Sequence, residues 1–475
     1  MVIPVFSARN PRTGVHDYQC EHTTASELDS IIKRLRSHQP AWAALSVDQR
    51  LSAMEQFIAA VERHKVEIFN ALKTDTGRVR IAQLETGALA GQFKRIDDDA
   101  RTMLGDIANR PTMVPHILGS GHYVPYGVMG NITPWNFPLL LSFIDTFPAL
   151  AAGNAVIIKP SEVTPRWVDP LRKALKEVPA VENVLAFARG PGDTGAALIE
   201  RVDFVSFTGS VRTGRKVAET AAKRFIPVFL ELGGKDPAVV LASANLDMAV
   251  SGILRASIAA TGQACQSLER VYVARPIFDA FVEKMVEKAK ATTLDIEDAE
   301  NGYVGPFIFE RQADIVADHL KDAVAKGAKI LCGGQLITKG GKWLAPTVLV
   351  DVTHKMKVMT EETFGPVIPI MPFDTLDEAV GLANDTTYGL SASVFAGSAD
   401  EAMAAARRLN AGAVSINDGS LTAMVQDVAH ESFGFSGMGA SRFGSEGILR
   451  YVRRKAVFTN TLGPMDVNGK ILPLA

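Results

Sequence analysis

From about residue 153 the chain alternates short β-branched or aromatic runs with amphipathic helical stretches, and this alternation constrains its fold most tightly. NAVIIKP, NVLAFARG, DFVSFTGS and IPVFLELGG are brief and punctuated by Gly or Pro. Between them, apolar residues recur at helical spacing over Trp167–Val178, Thr194–Arg201 and Thr213–Phe225. Strands separated by helices of this length are joined by crossovers, the pattern of a parallel sheet covered by helices. A second series follows: DPAVVLA, a long helical stretch through Ala264, RVYVARP, a helix near Phe278–Ala291 and KILCGG. APTVLVD, GLSASVFAG and GAVSIND continue it. The first hundred residues read mostly as helix, from the spacing of Leu51, Met54, Phe57, Ile58 and Val61 and of Val66, Ile68 and Leu72. RRKAVFTNT near the end reads as a strand outside either series. The fold class is α/β, with two α/β domains and peripheral strands, which suits 475 residues at about 150 per domain.

Composition removes several functions. Fifty Lys and Arg against 52 Asp and Glu give a net charge of −2, so there is no basic field for nucleic acid or an anionic membrane surface. The richest apolar segment, Pro138 to Ile158, is broken by Asp145, Gly153, Asn154 and two prolines, so no membrane span is expected. MVIPVFSARNPRTG lacks the basic and apolar regions of a secretory signal. Cys20, Cys265 and Cys332 are odd in number and far apart, so neither a disulfide framework nor a metal knuckle is expected. A reducing, cytoplasmic setting follows, with no metal site.

Several segments carry candidate chemistry. Gly190-Pro191-Gly192-Asp193-Thr194-Gly195 is a GxGxxG between a strand and a helix, as dinucleotide binding requires. Ser210, however, stands where the usual acidic residue belongs, and a simple tight turn also accounts for the match. FTGSVRTG places Gly209 and Gly214 before a helix whose amides, with Ser210, suit a pyrophosphate. PWNFP, Pro134 to Pro138, mounts the Asn136 amide in a rigid segment or forms a packed turn. LELGGK puts Glu231 at a strand end, partly withdrawn from water as a general base is, or paired with Lys235. Cys265 in TGQACQ is a nucleophile or a small buried hydrophobe.

Taken together, Asn136, Lys159, Glu162, Gly209, Ser210, Glu231 to Gly234 and Cys265 stand in one order on one βα framework. This combination, with EETFGP at Glu361–Pro366, resembles the aldehyde dehydrogenase superfamily over nearly the whole chain, from about residue 25. The resemblance implies an aldehyde dehydrogenase fold. Its parts would be a Rossmann-like cofactor domain at residues 1–106 and 127–233, an oligomerisation hairpin at 107–126 and a catalytic domain at 234–440. Residues 441–475 would return to the cofactor domain and supply an oligomerisation strand. It also implies a non-acylating NAD(P)-dependent enzyme that assembles as a homodimer or homotetramer and takes a small-molecule aldehyde.

By similarity, Cys265 attacks the aldehyde and forms a thiohemiacetal and then a thioester. The Asn136 amide and the Cys265 N–H hold the oxyanion, and Glu231 activates water. Members that pass the acyl group to coenzyme A typically lack this base, so a free acid is expected. Lys159 and Glu162 match positions at the adenosine ribose, where a carboxylate accepts from a 2′-OH and repels a 2′-phosphate, favouring NAD over NADP. Thr133, Trp135, Gly192, Gly209, Ser210, Gly214 and Leu232 match further cofactor positions, and Glu362 and Phe364 those at the nicotinamide ribose.

The resemblance places Phe137, Leu140, Leu141, Ile144, Ala264 and Gln266 around the substrate. None is a cation, and burying an unpaired carboxylate costs several kcal/mol, so an apolar aromatic or aliphatic aldehyde is expected. A semialdehyde or amino-aldehyde is the alternative. ESFGFSGMGASRFG, Glu431 to Gly444, departs from the doubled-glycine segment of many relatives. A cofactor-independent thiol esterase or acyltransferase using Cys265 and Glu231, and a non-catalytic binding or structural protein on the same fold, are the competing classes. The full cofactor motif set weighs against the first, and the presence of both nucleophile and base against the second.

Overall fold

A computed structural model describes residues 5–472. Two parallel sheets dominate it. The first runs Gly437–Met438, Val228–Glu231, Phe204–Thr208, Val128–Ile132, Ala155–Lys159, Leu185–Phe187, parallel except for the two-residue Gly437–Met438 strand. Its three central strands are buried along their whole length, as crossover helices on both faces require. Those helices include Leu140–Ala151, Val168–Lys176 and Val211–Arg224.

The second sheet has seven strands: Lys329–Cys332, Thr347–Val350, Val367–Phe373, Leu268–Ala274, Asp236–Val240, Ser391–Phe395 and Ala413–Ile416. Only its first strand is antiparallel. A third sheet pairs Ile107–Pro111 with Ile117–Pro125, and the latter with Val452–Asn460 over nine residue pairs. Its outer strand leaves Phe458 70% exposed. Among the described residues, no helix is long and apolar enough to cross a membrane.

The first hundred residues are mostly helical, as expected, while one later helix boundary is corrected. The amino-terminal hundred residues begin with a hairpin, Val5–Arg9 with His16–Glu21, before four helices follow. Arg166 ties this hairpin to the helices, pairing with Asp17 in the second strand and, at 2.6 Å, with Asp75 in the helix Lys65–Thr76. The long helical stretch does not reach Ala264. It stops at Ile258, and Ala260, Thr261 and Gly262 then adopt three successive left-handed conformations, φ 53°, 63° and 66°. Apolar periodicity continues through this segment and conceals the break. Cys332 is half-buried, because its strand is the sheet's edge.

Candidate active site

A cleft of about 740 Å³ opens at the carboxyl ends of the first sheet's strands, facing the second sheet's unit, where open α/β sheets bind ligands. Pro134–Pro138 follows Val128–Ile132, Glu162 follows Ala155–Lys159, Gly209 and Ser210 follow Phe204–Thr208, and Glu231 ends its own strand. The cleft wall gathers Thr133, Trp135, Asn136, Leu141, Lys159, Glu162, Gly192, Gly209, Ser210, Glu231, Leu232, Cys265, Glu362 and Phe364. Phe137, Leu140, Ile144, Ala264 and Gln266 lie outside it. So does Gly214, which lies under Leu232: a Cβ there would come within 2.6 Å of the leucine side chain.

At one end, Lys159 is nearly buried and donates to Glu162 at 2.8 Å. The Ser210 hydroxyl caps the Val211–Arg224 helix by accepting from the Thr213 N–H, which leaves the strand-to-helix turn facing the cleft. Arg212, Thr213 and Lys216 share this wall. In the middle, Trp135 meets Phe364 edge-on with ring centres 5.4 Å apart. Glu362 accepts from the Gly234 N–H at 3.3 Å. Burial, with Glu269 nearby, pushes the Glu362 carboxyl up to about 8. A Cβ on Gly233 would meet that carboxylate at 2.3 Å, so any larger residue there would push the Glu362 side chain aside.

Cys265 stands at the other end, just past the left-handed turn. Burial pushes its thiol up to about 12; Arg442 opposes this, while Asp236, Glu362 and Glu231 add to it. The Asn136 amide donates to the Gln263 carbonyl at 3.0 Å, which ties PWNFP to the segment bearing Cys265.

Glu231 is not paired with Lys235, whose ammonium contacts Glu269 at 2.7 Å and Thr363 at 2.9 Å instead. Its own partners come from the end of the chain. Oε1 lies 3.3 Å from Arg450 Nη1 and 3.7 Å from Arg442 Nε, and Oε2 accepts from Ser432 at 3.1 Å. Both arginines also face Asp145, at 3.3 Å from Arg442 and 3.8 Å from Arg450, and Tyr451 donates to Asp145 at 2.6 Å. Two guanidiniums and two carboxylates, all nearly buried, thus neutralise one another, as burial of charge demands. The divergent segment Glu431 to Gly444 supplies Ser432 and Arg442 to this group.

Sequence reasoning missed Ser432, Arg442, Arg450 and Tyr451. The one available signal was Asp145, a lone carboxylate within an apolar helix, which needs a buried cation from elsewhere.

The aldehyde dehydrogenase family model matches residues 4–457. The "Putative succinate-semialdehyde dehydrogenase" of Mycolicibacterium smegmatis, whose name specifies NADP(+), is 36% identical over 93% of this chain and 86% of its own length. The lactaldehyde dehydrogenase of Escherichia coli is 34% identical over 94% of each chain. Among solved structures, a "Putative Aldehyde Dehydrogenase PutA" from Anabaena variabilis superposes with a TM-score of 0.96. It shares 49% identity and covers 98% of this chain and 99% of the other. The chain belongs to the aldehyde dehydrogenase family of NAD(P)-dependent oxidoreductases.

Proposed function

We propose that this chain oxidises an aldehyde to the free carboxylic acid through a covalent intermediate on Cys265. The observation that carries this is the convergence of Cys265, Asn136 and Glu231 on one end of the cleft whose other end holds Lys159 and Glu162. The Cys265 sulfur gives up its proton to water and forms a bond to the aldehyde carbon. The carbonyl π pair moves onto oxygen, where the Asn136 amide and the Cys265 N–H receive it, releasing the amide from Gln263. A nicotinamide nucleotide, when bound, supplies the hydride acceptor that turns the thiohemiacetal into a thioester. Glu231 then takes a proton from water, the hydroxyl adds to the thioester carbon, and the sulfur leaves as thiolate.

The cleft suits such a nucleotide in volume and in its donors. Lys159 and Glu162 would hold the adenosine ribose, the turn at Gly209 and Ser210 with Gly192 the pyrophosphate, and Glu362 and Phe364 the second ribose. Trp135, Thr133 and Leu232 would line its path, while Gly214 lets Leu232 settle on the helix. Glu162 supports NAD. Arg212 and Lys216 on the same wall, and relatives whose names specify NADP(+), support NADP as a second cofactor.

For the substrate we favour an apolar aromatic or aliphatic aldehyde, with a semialdehyde or amino-aldehyde as the alternative. In support, Arg442 is taken up by Asp145, Glu231 and Thr208, and Gln266 by Thr422. Relatives named for succinate semialdehyde favour the alternative, whereas lactaldehyde, an uncharged hydroxy-aldehyde, favours neither choice. Nucleotide reduction over aromatic, aliphatic, hydroxylated and carboxylated aldehydes, with NAD and NADP in parallel, tests both choices. Highest kcat/KM with an apolar aldehyde supports the first; a semialdehyde ahead by tenfold overturns it. Assembly as a homodimer, or a homotetramer, is supported by the exposed outer strand Val452–Asn460, and sedimentation tests it. Cytoplasmic residence is supported by three unpaired cysteines.

A further inference from the structure

Arg78 occupies the joint between two helices, Lys65–Thr76 and Val79–Met103, just after the left-handed Gly77. Its side chain turns inward and is almost wholly buried, 4% exposed. A guanidinium is a planar fork that reaches two acceptors at once. Here Nη1 donates to the Ala260 carbonyl at 2.6 Å and Nη2 to the Asn136 carbonyl at 2.7 Å. Its plane also lies over the Phe137 ring, 5.7 Å from the centre.

The two carbonyls belong to the two segments that present the oxyanion donors. Ala260 opens the left-handed turn leading to Cys265, and Ala260 and Thr261 are non-glycine residues in a conformation that side chains disfavour. Such backbone persists only where its surroundings hold it. The Ala260 carbonyl also accepts from the Gln263 N–H at 3.1 Å and the Gln263 amide at 3.3 Å. The Gln263 carbonyl accepts from the Asn136 amide at 3.0 Å. Arg78, Asn136, Gln263 and Ala260 therefore form a closed ring of contacts joining one donor to the loop that carries the other.

We propose that Arg78 is a positioning residue of the oxyanion site, fixing the spacing between the Asn136 amide and the Cys265 N–H through the two carbonyls it bridges. This rests on the roles proposed above for Asn136 and Cys265. Arg78 touches no reacting atom; it acts through both donors.

The test is a double-mutant cycle in the full-length enzyme with Arg78→Lys, Arg78→Gln and Asn136→Ala, read as kcat, nucleotide dissociation constant and thermal midpoint. Lysine keeps the charge but cannot bridge two carbonyls in one plane. Arg78→Lys is expected to lower kcat by about 10- to 100-fold with nucleotide affinity changed less than threefold, and Arg78→Gln to lower it at least as far. In the Asn136→Ala background the same Arg78→Lys change should cost less than threefold. An equal loss in both backgrounds, or Arg78→Lys within twofold of wild type, overturns the positioning role. Wild-type kcat in Asn136→Ala alone instead overturns the oxyanion assignment on which it rests.

Discussion

The Oε1 atom of Glu231 lies 3.3 Å from Nη1 of Arg450, a residue 219 positions later in the chain. The pair joins the end of one strand to the Ser445–Tyr451 segment, which packs into the same core as the first sheet, and Asp145 completes it. Removing one cation from a buried charged group leaves an uncompensated carboxylate, a loss of about 3–5 kcal/mol. Arg450→Met should therefore lower unfolding free energy by about that amount, and Arg450→Lys by clearly less, in urea titrations. A methionine variant as stable as wild type would mean that the arginine is not needed to neutralise the pair.

The Cys265 thiol gives a pH prediction. Because burial pushes it up to about 12, the empty enzyme at neutral pH holds it almost wholly as the unreactive thiol. Its alkylation by iodoacetamide should accelerate about tenfold per pH unit between pH 7 and 10, monitored by mass spectrometry of the Cys265 peptide. A rate already level below pH 8 would show an activated thiolate in the empty site and contradict this.

Glu162 and Lys159 form a 2.8 Å pair at the far end of the cleft. Replacing the carboxylate by an amide removes the repulsion toward a 2′-phosphate and leaves Lys159 unneutralised. Glu162→Gln should shift the ratio of kcat/KM for NADP over NAD upward by about tenfold or more, the equivalent of about 1.4 kcal/mol. An unchanged ratio would place cofactor choice elsewhere, with Arg212 and Lys216 the next residues to replace.

The fold was legible wherever the chemistry is local. Buried parallel strands such as AVIIK and FVSFT announce themselves by continuous β-branched and aromatic residues, and the turns after them by glycine. Cys265, Glu231 and Asn136 stand in short motifs that each bear two readings alone, and only their common order along the chain, through the family resemblance, singles them out. What escaped depends on groups far apart in sequence. Arg442 pairs with Asp145 across 297 positions, and Arg78 reaches Ala260 across 182; neither arginine differs locally from a surface arginine. The left-handed turn before Cys265 also escaped, because Ala260 and Thr261 carry no glycine signal. Its conformation is imposed by tertiary contacts such as Arg78 to Ala260 and Thr261 to the Gly305 carbonyl at 3.1 Å.

The most direct test of the central claim is a rapid-mixing experiment with Glu231→Gln, the nucleotide and a good aldehyde substrate, quenched for intact-protein mass. With the base removed, one nucleotide should be reduced per active site in a burst. The protein should gain the mass of the acyl group, located on Cys265 and absent in Cys265→Ala. Sustained turnover in Glu231→Gln, or an acyl group on another residue, would contradict the mechanism.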